Sequence, residues 1–184
     1  SIRPTNEVFE KTREKLVYIS MGTVNNDMTV FYKNCIDALK DSDYQVVLSV
    51  GSQVDIKQLE NYVIKSKGKA QFHVFPYVNQ IAVLKKADAF ITHCGMNSVS
   101  EALYFKVPLV MYPQTNEQKG VAFRVNELEA GLYLSGDSIS EIQIILKELL
   151  QQSKYKERAT AISNSFSKCG GSQRAVEKIL DVCF

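Results

Sequence analysis

Residues 75–118 read FPYVNQIAVLKKADAFITHCGMNSVSEALYFKVPLVMYPQTNEQ, and their centre is THCGMNSVSEAL, from Thr92 to Leu103. The short apolar run ADAFI before this centre predicts a buried parallel strand. The residues NSVSEALYF that follow have apolar side chains at helical spacing and predict a helix. The centre is therefore expected to be the end of a strand that opens directly into a helix.

The side chains at this junction suit a nucleotide. Gly95 can adopt backbone angles closed to other residues, and Asn97 or Ser98 can cap the helix, so that several backbone N–H groups point outward and attract phosphate. His93 adds a ring N–H donor, and Glu101, one helical turn beyond Asn97, can accept hydrogen bonds from a ribose diol. The alternative is an ordinary strand-turn-helix junction with a cap and a glycine.

Composition restricts the class of protein. The 184 residues suit one domain, and 45% hydrophobic with 23% charged residues is ordinary for a globular protein with a full core. The net charge of +2 argues against a nucleic-acid partner. The apolar runs are too short to cross a membrane and the first residues are polar, so we expect a cytoplasmic protein with no transmembrane segment.

The sequence does not predict a metal site or a bound cofactor. Its two histidines and four cysteines are scattered without the paired spacing of metal ligands. Cys94 lies beside the junction, where a small buried side chain is favoured over a catalytic nucleophile.

Strands and helices alternate along the rest of the chain. Residues 1–14 predict a linker or arm, and residues 15–184 predict one domain. A helix over residues 116–130 is expected to stop at Gly131, and three further helices at the end of the chain are expected to belong to the core. This alternation predicts an α/β fold, a Rossmann-like doubly wound parallel sheet with helices on both faces.

In such a sheet, ligands bind beyond the carboxyl ends of the strands. The glycine fingerprint of dinucleotide-binding proteins is missing, because the turn after the first strand reads SMGTVNND, and hydride transfer with a nicotinamide cofactor is disfavoured. The predicted strand ends meet at one rim and are Gly22-Thr23, Gly51-Ser52, Tyr77-Val78, residues 93–95 and residues 114–118.

Three separated blocks, YVNQ, HCGMNSVSEAL and VPLVMYPQTNEQ, resemble the nucleotide-sugar-binding half of GT-B fold glycosyltransferases. Among these enzymes the chain is most similar to the bacterial macrolide-type branch of the UDP-glycosyltransferase superfamily. The resemblance extends from VYISMGT in the first strand to GGSQRAVEKI near the end. It implies that the chain is the carboxy-terminal half of a GT-B fold and binds a nucleotide sugar.

The resemblance also implies a role for individual residues. Tyr77 would stack on the base where the family usually has Trp, Val78 would meet the base through its backbone, and Gln80 and Glu101 would bind the ribose. Glu117 and Gln118 would contact the sugar where many relatives have Asp-Gln; an ordinary helix start is the alternative there. The residues that would hold the diphosphate are Gly22, Thr23, His93, Gly95, Met96, Asn97 and Ser98.

In this family the transfer inverts the anomeric centre without a metal, and the catalytic base belongs to the amino-terminal half. That acceptor-binding half is not in this sequence, so no catalytic base is expected here, and the chain by itself is expected to bind the donor without efficient transfer. The donor is expected to be a UDP-sugar, although a TDP-sugar stays open.

Other interpretations stay open. The chain could be the donor-binding subunit of a naturally split two-chain transferase, or a non-catalytic nucleotide-binding module. A sugar-nucleotide epimerase of related fold is disfavoured, because it needs a second domain with acidic catalytic residues. The apolar residues of the last helices could also make the isolated domain a homodimer.

Overall fold

The structure is a computed structural model that describes residues 10–22 and 28–183. Strands and helices alternate in these residues until three consecutive helices complete the domain. The strands are β1 (Lys15–Ser20), β2 (Tyr44–Ser49), β3 (Gln71–Phe75), β4 (Ala89–Thr92), β5 (Leu109–Met111) and β6 (Gly131–Tyr133). The helices are α1 (Thr29–Leu39), α2 (Ile56–Ser66), α3 (Gln80–Leu84), α4 (Met96–Tyr104), α5 (Asn116–Glu127), α6 (Ile139–Gln151), α7 (Ser153–Lys168) and α8 (Gly171–Cys183).

The six strands form one sheet in the order β3-β2-β1-β4-β5-β6. Every neighbouring pair is parallel. This is the strand order of a doubly wound Rossmann sheet, in which the chain leaves β1 in one direction and later returns to its other side. The predicted α/β fold class is confirmed.

The core lies on both faces of this sheet, because each central strand is buried on both sides. In β1, Val17 and Ile19 point into one apolar cluster, which side chains of α1, α2 and α6 complete. Leu16 and Tyr18 point into the other cluster, which α3, α4, α5 and α7 complete. The near-continuous apolar sequence of β1 is the pattern of a parallel strand covered by helices on both faces.

The strand register brings three polar side chains to one edge of the sheet. Ser20 at the end of β1 pairs with Ser49 of β2 and with Thr92 of β4. The loops after β1 and β4 therefore leave the sheet side by side, at the point where the strand order reverses. Ligands of doubly wound domains bind in the crevice that such a reversal opens.

The start of α4 differs from the sequence prediction. Neither Asn97 nor Ser98 caps the helix; it begins at Met96 with Gly95 in the cap position, and no side chain makes a cap hydrogen bond. The left-handed backbone conformation falls on Cys94, with φ of 68°, whereas Gly95 has an ordinary φ of −61°. Gly95 is required for the space that it leaves beside the His93 ring, and not for its backbone angles.

The end of α5 was also predicted wrongly. The helix ends at Glu127, and Glu129 takes the left-handed conformation with φ of 55°. Gly131 does not stop the helix but is the first residue of β6. A Cβ at Gly131 would lie 2.5 Å from the backbone oxygen of Leu109 in β5, so glycine is needed for the close approach of these two strands.

The last helix is not part of the core, contrary to the prediction. Every side chain of α8 that the structure describes is exposed, including the apolar side chains of Val176, Ile179 and Leu180. The prediction was wrong because an amphipathic helical pattern shows that one face is apolar but does not show what covers that face.

The described end of the predicted arm contacts the domain. The Lys11 ammonium lies 2.6 Å from the Asp88 carboxylate, and the Thr12 backbone N–H donates to the Gln45 side chain at 2.8 Å. Both partners belong to the edge of the sheet opposite the strand ends described above. The division of the chain at residues 14 and 15 stays a prediction.

Candidate functional site

A cleft of about 730 Å³ opens at the carboxyl edge of the sheet, where the strand order reverses. The loops after β1 and β4, the start of α3 and the starts of α4 and α5 form its walls. The predicted site residues that line the cleft are Gly22, Tyr77, Val78, Gln80, His93, Gly95, Met96, Asn97, Ser98, Glu101, Glu117 and Gln118. Thr23, also predicted, lies outside the described residues.

Two glycines enclose the imidazole of His93. A Cβ at Gly22 would lie 2.7 Å from both Cε1 and Nε2 of the ring, and a Cβ at Gly95 would lie 2.8 Å from Nε2. Gly22 also has φ of 86°, which side chains rarely allow. The loops after β1 and β4 can therefore close on the ring only because both positions lack a side chain.

The surroundings of His93 favour the neutral ring. Burial lowers the pKa of His93, while contact with the Ser20 backbone and the negative charge of Glu117 act in the opposite direction. Among the described residues, the buried Nδ1 has no hydrogen-bond partner. A neutral imidazole has one donor and one acceptor nitrogen, so the ring can offer one N–H to a ligand.

The first turn of α4 supplies backbone donors next to this ring. The first hydrogen bond of the helix runs from the Val99 N–H to the Gly95 carbonyl, at 3.0 Å. The N–H groups of Met96, Asn97 and Ser98 come before it and therefore have no partner within the helix. Met96 is 56% exposed, so its side chain leaves the helix end open. The free N–H groups and the helix dipole make this end suitable for an anion.

On the other side of the cleft, Gln80 joins α3 to α4. Its Nε2 donates to the Glu101 carboxylate at 2.7 Å and to Ser98 Oγ at 3.3 Å. The phenol of Tyr18, in the floor of the cleft, donates to Gln80 Oε1 at 3.2 Å. The result is a connected group of acceptors and donors about one helical turn away from the start of α4.

The aromatic ring of Tyr77 lies at the rim and is 43% exposed. It leads through Val78 into α3, where the Asn79 side chain caps the helix by accepting from the Ala82 N–H at 3.2 Å. This cap fixes the start of α3, which carries Gln80 as its first residue. The exposed part of the Tyr77 ring is accessible to a planar ligand in the cleft.

Residues at the start of α5 cap this helix, a role that the sequence analysis did not predict. Thr115 and Gln118 form a capping box, in which Thr115 Oγ1 accepts from the Gln118 N–H at 3.3 Å. In return, Gln118 Oε1 accepts from the backbone N–H groups of Gln114, at 2.7 Å, and Thr115, at 3.2 Å. Only the Nε2 group of Gln118 is therefore left for a ligand, and the Glu117 carboxylate lies beside it in the first turn.

Sequence reasoning missed several residues in the floor of the cleft. Tyr18, Ser20 and Ser49 line it from the ends of β1 and β2. The only signal for the serines was a polar residue at the carboxyl end of an apolar strand. Tyr18 carried no signal, because an aromatic residue within an apolar run is typical of the core.

Cys94 is a structural thiol, as predicted. It has no exposed surface, and burial raises its pKa to about 12. The thiolate needed for nucleophilic attack is therefore scarce at neutral pH.

The part of the chain that the structure describes offers neither a metal site nor a membrane-spanning helix. No group of three or more His, Cys, Asp or Glu side chains is arranged there to hold a metal ion. No helix in residues 10–22 and 28–183 has the length and apolar character required to span a membrane.

Comparison with known proteins gives one consistent family. The model of the glycosyltransferase family 28 C-terminal domain matches residues 16–175. An uncharacterized UDP-glucosyltransferase of Bacillus subtilis, YojK, is 36% identical over 174 residues, which cover 91% of this chain and 40% of YojK. The NDP-glycosyltransferase YjiC of Bacillus subtilis is 37% identical over 174 residues, which cover 94% of this chain and 43% of YjiC.

Solved structures agree with these matches. The glycotransferase of kitacinnamycin superposes with a TM-score of 0.85 at 26% identity, over 98% of this chain and 47% of that protein. The chain thus spans about two fifths of the length of the curated relatives it matches. The resemblance to bacterial macrolide-type GT-B enzymes is confirmed, and the chain belongs to the family of glycosyltransferase family 28 C-terminal domains.

Proposed function

We propose that this chain is the donor-binding domain of an inverting, metal-independent glycosyltransferase that transfers a sugar from a UDP-sugar to an acceptor hydroxyl. One observation carries the proposal. The open start of α4, the Gln80–Glu101 pair and the exposed ring of Tyr77 lie in a single cleft, in the order that diphosphate, ribose and base would take. The names of the relatives, a UDP-glucosyltransferase and an NDP-glycosyltransferase, support the same substrate class.

The diphosphate would lie against the start of α4. The backbone N–H groups of Met96, Asn97 and Ser98 would donate to its oxygens, and His93 would add its ring N–H. Negative charge grows on the departing nucleoside diphosphate as the anomeric C–O bond breaks, so fixed donors here stabilise the transition state more than the bound substrate. These donors would take the place of a divalent ion in neutralising the leaving group.

The nucleoside would lie along α3 and the outer side of α4. Tyr77 offers one ring face for stacking on the base, and the backbone of Val78 offers an N–H and a carbonyl for hydrogen bonds at its edge. The Glu101 carboxylate would accept from the ribose hydroxyls, with Gln80 beside it. Uracil and thymine differ by one methyl group, so the ribose rather than the base would favour UDP over TDP.

The sugar would extend toward the start of α5. Gln118 would donate from Nε2, because the capping box occupies Oε1. Glu117 would accept from a sugar hydroxyl, and its negative charge also lies close enough to favour the protonated form of His93. The catalytic base that activates the acceptor hydroxyl would come from an amino-terminal half, which would also select the acceptor.

Calorimetric titration of the chain with UDP, UDP-glucose and TDP-glucose tests the proposal. We expect saturable binding of the uridine nucleotides that persists in EDTA. His93→Ala and Glu101→Ala should each weaken UDP binding by about 10-fold or more, because each removes a hydrogen bond in which one partner is charged. Glu60→Ala, an exposed glutamate on α2 away from the cleft, should leave the affinity unchanged.

Three results would contradict the proposal. Absence of uridine-nucleotide binding by the folded chain would remove the donor-site assignment. Strict dependence of binding on a divalent cation would remove the metal-independent mechanism. Incubation of the chain with UDP-glucose and an acceptor should release no UDP until the amino-terminal half is added, and efficient release by the chain alone would show that the catalytic base lies in this domain.

A further inference from the structure

The floor of the cleft contains a tyrosine whose ring belongs to the core but whose hydroxyl has no role in the core or in the proposed donor contacts. Tyr18 lies in the middle of β1, and only 1% of its surface is exposed. Its hydroxyl nevertheless reaches the cleft and donates to Gln80 Oε1 at 3.2 Å. A buried hydroxyl that contacts a side chain of the ligand site is a candidate for adjusting that site.

The position and the protonation of this hydroxyl are both fixed. The Tyr18 ring stacks on the Phe90 ring of β4, with a centroid distance of 4.6 Å and an angle of 16°. Burial raises the pKa of Tyr18 to about 12, so the phenol keeps its proton at neutral pH. The nearby hydroxyls of Ser20 and Ser49 lower this pKa and offset only part of the effect of burial.

A donor at this position decides which way the Gln80 amide faces. Because the phenol donates to Oε1, the NH₂ group must point to the opposite side, where it contacts Glu101 and Ser98. The reversed amide would place Oε1 against the Glu101 carboxylate and NH₂ against the phenol proton. The contact with Glu101 would then be repulsive, and the hydrogen bond that the phenol donates to Oε1 would be lost.

The contact with Tyr18 matters most when a nucleotide is bound. A ribose hydroxyl that donates to Glu101 competes with Gln80 for the same carboxylate, and Gln80 then loses its shortest contact. The phenol is the partner that the ribose does not displace, since it lies beneath the amide in the floor of the cleft. It can hold the amide with its NH₂ toward the ribose oxygens.

We propose that Tyr18 is a positioning residue for ribose recognition: its hydroxyl fixes the Gln80 amide so that Nε2 faces the ribose while Glu101 accepts from it. This inference rests on the proposed function and adds to it a residue that does not itself touch the nucleotide sugar. Tyr18→Phe is the direct test, because it removes the hydroxyl and keeps the stack on Phe90.

The affinity of the full 184-residue chain for UDP should fall by about 3- to 10-fold in Tyr18→Phe, the effect of one neutral hydrogen bond. The affinity for 2′,3′-dideoxyuridine diphosphate, which lacks both ribose hydroxyls, should not change. A merely structural role would weaken both ligands equally. In the Gln80→Ala background, Tyr18→Phe should have no further effect on UDP binding, since Tyr18 acts through Gln80.

Tyr155→Phe is the matched control. Tyr155 is also buried, and its hydroxyl donates to Glu148 Oε1 at 2.9 Å, but it lies on α7 away from the cleft. This variant should bind UDP normally. Denaturation midpoints of all variants report whether a loss of affinity reflects partial unfolding.

The outcomes separate this inference from the proposed function. Equal weakening of both nucleotides, unchanged UDP affinity in Tyr18→Phe, or additive losses in the double variant would overturn the role of Tyr18 alone. Failure of the unaltered chain to bind UDP would overturn the proposed function and this inference together.

Discussion

His93 is held at the centre of the cleft chiefly by shape. Gly22 and Gly95 both lie against Cε1 and Nε2 of the ring, where even a methyl group would be within 3 Å of it. Both loops belong to strands on either side of the point where the strand order reverses. The imidazole can occupy its position only because the residues at these two turns have no side chain.

The substitution Gly95→Ala tests this arrangement. The backbone angles at Gly95, φ −61° and ψ 135°, suit alanine, so the effect is confined to the new methyl group. With Nε2 only 2.8 Å away, the ring must move, and we expect UDP affinity to fall by about 10-fold or more with a loss of about 1–3 kcal/mol in the free energy of unfolding. Titration calorimetry and urea denaturation measure the two effects.

Gly120→Ala is the control for that substitution. Gly120 lies within α5 and a Cβ there would have no neighbour within 4 Å. This change should stabilise the chain by about 0.5–1 kcal/mol without altering UDP affinity, because alanine is the better helix former. Normal UDP binding by Gly95→Ala would show that His93 does not need its present position.

Much of the site could be predicted from the sequence, because its residues follow the ends of predicted strands. His93, Gly95 and Glu101 were placed in this way. The capping box was missed although the spacing of Thr115 and Gln118 is its usual signature. Tyr18 could not have been found from the sequence. An aromatic residue within an apolar strand is expected in the core, and nothing in the sequence shows that its hydroxyl also reaches a cleft.

At the scale of elements, the strands were predicted well and the helix ends less well. A buried parallel strand has a strong signal, a short apolar run between turns, and the predicted alternation of strands and helices is observed. A glycine after a helix has two explanations, a left-handed cap or a close approach of backbones. Gly131 is needed for the close approach of β6 to the backbone of β5. The residue with the left-handed conformation is Glu129.

Substitution at these two positions distinguishes the explanations. Gly131→Ala should cost about 1–3 kcal/mol of unfolding free energy, because the new Cβ would meet the Leu109 carbonyl, a backbone atom of β5 that has little freedom to move. Glu129→Gly should stay within about 1 kcal/mol of the parent, since relief of the left-handed conformation offsets a more flexible unfolded chain.

Urea denaturation at constant pH measures both changes. The surface ion pair between Glu129 and Arg158, lost in the second variant, contributes little because both side chains are more than half exposed. If Glu129→Gly were the more damaging change, the close approach of β5 and β6 would not be what requires Gly131.

For the molecule as a whole, the sheet and its covering helices form a complete core up to α7. The ends of the central strands are polar and face the cleft, and both faces of the sheet are covered. Sequence patterning could predict this core because every buried element contributes to one of two apolar clusters. It could not predict the place of α8. The sequence shows that this helix has an apolar face, but no described residue buries that face.

We therefore predict that removal of residues 171–184 leaves the fold and the donor site intact. No described side chain of α8 is buried, so the truncated chain should keep its free energy of unfolding to within about 1 kcal/mol and its affinity for UDP. Removal of the exposed face of Val176, Ile179 and Leu180 should also lower any self-association, which sedimentation velocity of both chains would measure. A loss of several kcal/mol in urea denaturation would instead show that α8 packs on the domain in solution, and its apolar face would then belong to the core as the sequence pattern first suggested.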